Sequence, residues 1–364
     1  MNLDELRNAI DQTDAQILAL LGERFALARK VGDYKTAHQL EVYSPEREET
    51  MLRRLVEQGL SIHLPASAVR AIFREIISAS ISLEKPLSIA FLGPEATWSH
   101  QAARAKFGSQ VSYLPQQSIP EVFAAVERRK ADFGIVPIEN STEGSVGQTL
   151  DQFMESDLRI CGELSLRINH NLAGHGKLAD LKRVYSHSQS FGQCRKWLTL
   201  HLPHADLIPV ASNAKAAATA AAEPEAAAIC GALAAELHHL PIIERSIQDH
   251  AENTTRFVVI GRLTTQQTGI DRTSLMLIIQ DRAGALYDAL EPMRHAGISL
   301  TRIESRPSRR KAWEYCFFID LLGHVEDPQV AKVLSELASR ASVVKVLGSY
   351  PITTGGDNDD PSLR

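Results

Sequence analysis

The stretch Ile135-Val136-Pro137-Ile138-Glu139-Asn140-Ser141-Thr142-Glu143-Gly144-Ser145 decides how the chain is read. It opens on a short apolar run, as a buried strand end does. It then turns to Glu, Asn, Ser, Thr and Gly, residues that hydrogen-bond to the backbone or free it. In an α/β sheet, ligands bind at the carboxyl ends of strands. Neutral hydrogen-bonding groups beside a carboxylate at such a point suit a small polar substrate. Taken alone, the stretch reads as a capped strand-to-helix turn. Two more junctions add weight. Asn253-Thr254-Thr255-Arg256-Phe257-Val258-Val259-Ile260-Gly261 again joins polar residues to a strand, and the segment 186–198, which opens Ser186-His187-Ser188-Gln189, makes a third.

Outward from these junctions, strands and helices alternate. Leu87 to Pro94, Phe133 to Val136, Arg183 to Ser186 and Ala227 to Cys230 read as strands. Residues 102–107, 121–129 and the Ala-rich run 214–222 read as helices, and Pro224 ends the last. This α/β pattern predicts a parallel sheet. The region 87–265 is long for one sheet, which predicts two lobes around a cleft. Alternation puts Thr255 and Phe257 on one strand face and Arg256 on the other, where it holds either a carboxylate or a neighbouring loop. His187 is a candidate base, or a cap for the helix that follows it.

The segments "VPIENSTEGSV" and "NTTRFVVIG" resemble the signatures of the prephenate dehydratases. The resemblance implies a two-lobed α/β domain similar to a type II periplasmic binding fold. It also implies a prephenate site built from Glu139, Asn140, Ser141, Thr142, Ser186, His187, Gln189, Gln193, Thr255, Arg256 and Phe257. Phenylpyruvate formation removes carbon dioxide and the ring hydroxyl together. Aromatisation drives it, so the enzyme's task is to help hydroxide leave. Thr255 can donate a hydrogen bond to that hydroxyl without carrying charge.

Residues 1–84 read as helices. Leu3, Ile10, Ile17, Arg24 and Val31 recur every seven residues beside Leu6, Leu20 and Leu27, which is a heptad seam. Arg24 sits on that seam, and Lys35 lies close to the same face. Unpaired buried cations are costly, so the pair either reaches solvent along its aliphatic stems or lines an anion site. Ser44-Pro45-Glu46-Arg47-Glu48 is a helix start. Pro65-Ala66-Ser67 introduces a third helix with Val69, Ile72, Phe73, Ile76 and Ile77 inward and Ser80 and Glu84 on an adjoining face. So thin a core predicts a dimer that shares the seam.

Through Arg7, Arg24, Lys35, Ser44, Arg47, Glu48, Ser80 and Glu84 this segment resembles the all-helical chorismate mutases. The resemblance implies that Arg24, with Arg7 from a partner subunit, holds the substrate carboxylates. Lys35 would donate to the breaking ether oxygen, and Glu48 would bind the substrate hydroxyl. Glu84 would serve that oxygen only when protonated, because a carboxylate accepts and does not donate. Ser44 and Glu84 stand where some relatives carry Asp and Gln.

Residues 271–350 change pattern once more, to a βαββαβ unit. It resembles an ACT regulatory domain. "GALY" and "ESRP", at Gly284, Ala285, Leu286, Tyr287 and Glu304, Ser305, Arg306, Pro307, look like phenylalanine-site motifs. The order helical domain (1–86), two-lobed domain (87–265), ACT domain (271–350) resembles the bifunctional chorismate mutase/prephenate dehydratases. That resemblance implies a homodimer or higher homo-oligomer acting on chorismate and prephenate, with phenylalanine as effector. The rival class is a non-enzymatic amino-acid sensor. Residues 351–364, rich in Gly and Asp, are expected to form a disordered tail.

Composition excludes other classes. With 364 residues, 44% hydrophobic and 23% charged, the chain reads as an ordinary globular protein. A net charge of -5 argues against a broad nucleic-acid surface. The start Met1-Asn2-Leu3-Asp4-Glu5 shows no secretory signal and no apolar run spans a bilayer, so a cytoplasmic enzyme is expected. Cys161, Cys194, Cys230 and Cys316 are scattered and the histidines lack ligand spacing; neither a metal nor a cofactor is expected.

Overall fold

A computed structural model describes residues 2–280, 282–308 and 314–353. Three helices come first: α1 (Leu3–Ala37), α2 (Pro45–Ser61) and α3 (Ala66–Glu84). Asn2 and Glu5 close a capping box on α1. Ser44 caps α2 with Pro45 in its first turn, as expected from the sequence. Residues 3–20 of α1 are exposed throughout, and Gly32 is the helix's one buried residue. The seam is therefore uncovered within one chain, with Leu3 at 61% and Leu20 at 64% exposure. Ile72, expected inward, is 57% exposed. Helix α3 turns its inner face to α1, α2 and α4, and Ile72 lies off that face.

The next region contains β1 (Ser88–Leu92), α4 (Trp98–Phe107), β2 (Ser112–Gln116), α5 (Ile119–Glu127), β3 (Phe133–Asn140), β4 (Gly144–Ser145), α6 (Gly147–Glu155) and β5 (Arg159–Arg167). A second lobe follows with β6 (Asn171–Gly174), β7 (Arg183–Ser186), α7 (Ser188–Gln193), α8 (Arg195–His201), β8 (Asp206–Pro209), α9 (Asn213–Ala220), β9 (Ala226–Cys230), α10 (Ala232–Leu237) and β10 (Ile242–Glu244). The chain then returns to the first lobe through β11 (Thr254–Gly261).

The first sheet runs β2-β1-β3-β11-β5 and the second β10-β6-β9-β7-β8. Neither is wholly parallel, which corrects the expectation from the α/β pattern. Strand β11 is antiparallel to both β3 and β5, and β6 is antiparallel to β9. The cause is the double crossing between lobes: a strand that returns from the second lobe enters the first sheet from the cleft end. The opening stretch also differs from expectation. It is a hairpin, β3 to β4, and not a strand-to-helix turn. The Asn140 side chain accepts from the N–H groups of Thr142 and Glu143, and Gly144 takes φ 80°. Together these reverse the chain before α6 begins.

The helical region shares a core with the first lobe. Tyr43, Leu52, Ile77 and Ile81 pack in one cluster with Ile89, Phe91, Phe107, Phe133 and Phe257.

The C-terminal unit comprises β12 (Asp271–Ile278), α11 (Ala285–His295), β13 (Leu300–Pro307), β14 (Tyr315–Leu322), α12 (Pro328–Arg340) and β15 (Val343–Pro351). Its antiparallel sheet is ordered β13-β14-β12-β15. It lies flush on the first lobe. A Cβ at Gly348 would stand 2.0 Å from the Ile160 carbonyl oxygen, so only glycine fits between β15 and β5. Of the expected tail, Pro351 ends β15, Ile352 is buried and Thr353 donates to the Glu163 carbonyl at 2.9 Å. The tail beyond Thr353 lies outside the described residues.

Candidate functional sites

A cavity of about 310 Å³ opens between α1, α2 and α3. Its walls are apolar at Leu27, Val31, Met51, Ile77 and Ile81 and polar at Arg24, Lys35, Ser44, Arg47, Glu48, Ser80 and Glu84. Helical spacing brings Arg24, Val31 and Lys35 to one side of α1, and Ser80 and Glu84 to the facing side of α3. Lys35 Nζ donates to Glu84 Oε2 at 3.1 Å and to the Val42 carbonyl at 2.6 Å. An ammonium has three N–H groups, so one is left for the cavity. Arg24 Nη1 bonds Ser80 Oγ and lies 3.4 Å from the Ile76 carbonyl. Burial lowers the Arg24 pKa and Glu84 opposes that shift. The carboxylate of Glu48 is buried against Arg74, with Lys106 Nζ at 4.0 Å. Arg7 is elsewhere: exposed, and 3.6 Å from Asp4.

A second cavity, of about 450 Å³, lies between the two lobes. Asn140, at the carboxyl end of β3, pairs in register with Thr255, at the start of β11. Asn140 Nδ2 donates to Thr255 Oγ1 and to Asn253 Oδ1, each at 2.8 Å. Asn253 Nδ2 donates to Gln193 Oε1 at 3.1 Å, which links the first lobe to α7 of the second. Gln193 Oε1 also meets His170 Nε2 at 2.7 Å, and Gln193 Nε2 reaches Glu143 at 3.4 Å. His170 is buried edge-on to Trp98, with ring centroids 5.7 Å apart, and burial lowers its pKa while the Gln193 bond raises it. His187 lines the cavity and caps α7, its Nδ1 accepting from the Gln189 N–H at 3.4 Å.

Behind this cavity, buried charges tie the first lobe to the C-terminal unit. Arg256 bonds Asp320 and lies 3.4 Å from Glu163 and 3.5 Å from Glu139. Arg272 reaches the same Glu163 at 2.6 Å. Arg302 donates to Ser145 Oγ at 2.8 Å, and the same hydroxyl donates to Glu304 at 3.0 Å. Arg306 bonds Asp151 at 2.8 Å. At the other motif of this unit, Gly284 caps α11 with φ 82°, Ala285 is buried and Tyr287 is 65% exposed.

Comparison with known proteins follows this division. Residues 6–85 match the family model described as chorismate mutase type II, 89–265 that of prephenate dehydratase and 273–339 that of the ACT domain. A bifunctional chorismate mutase/prephenate dehydratase of Aquifex aeolicus is 45% identical over 96% of this chain and 98% of its own length. The chain belongs to the bifunctional chorismate mutase/prephenate dehydratase family. A relative of the same description from Neisseria gonorrhoeae is 44% identical over 96% of this chain and 98% of its own. Among solved structures, prephenate dehydratase from Arthrobacter aurescens in complex with L-Phe aligns with a TM-score of 0.68 at 33% identity, over 73% of this chain and 90% of that one. The chain is thus a multidomain enzyme with a helical mutase domain, a two-lobed α/β dehydratase domain and an ACT domain.

Every mutase residue expected from the sequence lines the helical cavity except Arg7. In the dehydratase cleft, Asn140, His187, Gln189, Gln193, Thr255 and Phe257 line the space. Five expected residues do not. Glu139 and Arg256 face the ACT domain, because alternation along β3 and β11 turns them to the other side of the sheet. Ser141 binds β11 to the hairpin by accepting from the Thr254 N–H at 3.0 Å. Thr142 Oγ1 donates to Asn140 Oδ1 at 2.6 Å. Ser186 is buried on Asn213 at 3.0 Å.

Sequence reasoning missed Asn253, His170, Asn213 and Trp98 in the cleft, and Arg74 and Lys106 behind Glu48. For Asn253 the signal was present, since it shares the alternating face of Thr255 and Phe257. For His170, one of many scattered histidines, there was none. All four cysteines are free and buried, and burial pushes Cys161, Cys194 and Cys230 up to about 12. No helix among the described residues is long and apolar enough to cross a membrane.

Proposed function

We propose that the two activities of this enzyme reside in these two cavities, with the residue roles that follow. The observation that carries the reading is their separateness: the linings share no residue. In the helical cavity Arg24 holds one carboxylate of chorismate, and the third N–H of Lys35 meets the ether oxygen as it gains charge. Arg47 and Ser44 border the same space, and Glu48, fixed by Arg74, accepts from the substrate hydroxyl. The apolar walls favour the compact reactive conformer. Glu84, bonded to Lys35, orients that ammonium.

Prephenate then enters the interlobe cleft. The bond from its ring to the departing carboxylate breaks, and carbon dioxide leaves. The electron pair enters the ring, and the C–O bond opposite breaks to release hydroxide, which Thr255 assists by donating a hydrogen bond. Phenylpyruvate remains. Thr255→Ala should abolish dehydration and leave chorismate consumption nearly intact, followed by ultraviolet absorbance on one sample. Equal loss of both activities in a folded variant would sink the two-site reading.

The mutase cavity is completed by a second copy of the chain, Arg7 coming from the partner. Leu3, Leu6, Ile10, Ile17, Leu20 and Leu27 are each 45–64% exposed in one chain. Covering them on both copies contributes on the order of 20 kcal/mol, more than the roughly 4–15 kcal/mol that association costs. Phenylalanine acts as effector at the ACT domain, near 284–287 and 304–307, and lowers dehydration. The Ser145–Glu304 bond supports this, because Ser145 lines the cleft and Glu304 belongs to the effector segment.

A further inference from the structure

Hydroxyl and amide groups can point either way, and catalysis by Thr255 requires one of the two directions. Its hydroxyl has one proton. If that proton were spent on the protein, none would be left for the departing hydroxyl. The surrounding network removes the ambiguity, starting from two backbone N–H groups. Those of Thr142 and Glu143 can only donate, and both end 3.0 Å from one atom of the Asn140 amide. That atom is therefore the oxygen. The nitrogen faces the other way, where the Thr254 carbonyl, 3.3 Å off, can only accept.

Each later direction follows from the one before it. Asn140 donates to Thr255 Oγ1 and to Asn253. Asn253 thus presents its oxygen to Asn140 and its nitrogen to Gln193. Gln193 in turn presents its oxygen, so the His170 nitrogen that meets it must carry a proton. His170 is the neutral Nε2–H form, and its Nδ1 is buried without a partner among the described residues. At the near end, Thr255 is an acceptor from the protein. No described group accepts its proton, and the residue borders the cleft.

We propose that Asn253 and His170 are positioning residues for the dehydration: Asn253, itself held by Gln193 and His170, keeps the Asn140 nitrogen in place against Thr255, so that Thr255 is an acceptor from the protein and its proton is left for the departing hydroxyl. Neither touches the reacting atoms. The Asn140 direction is set within the first lobe by the Thr142 and Glu143 N–H groups; because Gln193 belongs to the second lobe, the outer part of the relay holds Asn253 in place only while the lobes stand together. The inference rests on reading the cleft as the dehydration site with Thr255 as donor.

The test is steady-state dehydration of prephenate by the full-length chain. Losing one oriented hydrogen bond in the transition state costs about tenfold. Asn253→Ala and His170→Leu should each lower kcat by about that factor, with KM changed by less than about twofold. His170→Gln, whose amide N–H can stand where Nε2–H stood, should recover kcat to within about threefold of wild type. A KM effect at unchanged kcat, or His170→Gln no better than His170→Leu, overturns the proposal. If either disruptive variant fails to fold, Asn253→Ser decides. It removes the amide donor to Gln193 and adds no charge to the cleft, so kcat falls if the relay acts and is unchanged if it does not. Thr255→Ala separates the two levels. Wild-type dehydration by that variant defeats the site reading itself. An inactive Thr255→Ala beside fully active Asn253 and His170 variants defeats the relay alone.

Discussion

Asp320 shows what single side chains do at the junction of the dehydratase and ACT domains. It is buried, which alone would raise its pKa. Arg256 first, then Arg302 and Arg272, hold it instead at about 2, below its ordinary 3.8. A carboxylate whose folded pKa is depressed adds stability above its unfolded value and loses it as pH falls through the folded one. Asp320 therefore contributes about 2 kcal/mol above pH ~4, and that contribution fades toward pH ~2. Asp320→Asn strands part of the charge on Arg256 and should destabilise the chain by about 3 kcal/mol at neutral pH. In urea unfolding, the difference between variant and wild type should shrink as pH is lowered from about 5 to about 2.5. Parallel stability curves over that range would mean the carboxylate is not what ties the two domains.

Elements carry the logic of the cleft, and part of it was readable beforehand. The two quoted stretches have opposite order: 135–145 goes from apolar to polar, 253–261 from polar to apolar. Strands that share one polar end and run in opposite order lie antiparallel, as the paired strands β3 and β11 do. A parallel expectation overlooked that order. What could not be read is register across lobes. Nothing in the spacing of Asn140, His170, Gln193 and Asn253 says that they meet, because a chain that crosses twice between lobes sets that meeting in three dimensions. Arg256 was open on its strand face, and a carboxylate on a distant strand, Asp320, closed the question.

The start of α11 offers a test at the same scale. Gly284 has φ 82° and nothing within 4 Å of where a Cβ would stand. Gly284→Ala thus meets no neighbour and costs only about 1–2 kcal/mol of backbone strain. It would still fill the space that a ligand carboxylate needs at the backbone. Calorimetric titration should find phenylalanine binding weakened by about tenfold or more, the loss of one good ligand contact, with dehydration in its absence retained. Undiminished affinity would remove this turn from the effector site.

For the whole molecule the decisive fact is that α1 extends from the fold with most of its apolar seam bare. Arg7 and Arg24 are about 17 residues apart, roughly 25 Å along one straight helix. One cavity of the size seen here cannot hold both from the same chain. Mixing inactive Arg7→Ala and Arg24→Ala subunits should restore part of the chorismate rearrangement, in heterodimers with one intact site. No recovery after verified subunit exchange would count against a shared cavity. If the helical cavity borrows Arg7 from its neighbour, as proposed, it obeys mass action, whereas the interlobe cavity described above is lined by residues of one chain. Diluted below the dimer's dissociation constant, the first activity falls with the square of the chain concentration and the second in simple proportion. The step that consumes prephenate therefore outlasts the step that makes it, and a cell holding few copies of this enzyme would drain that intermediate and not accumulate it.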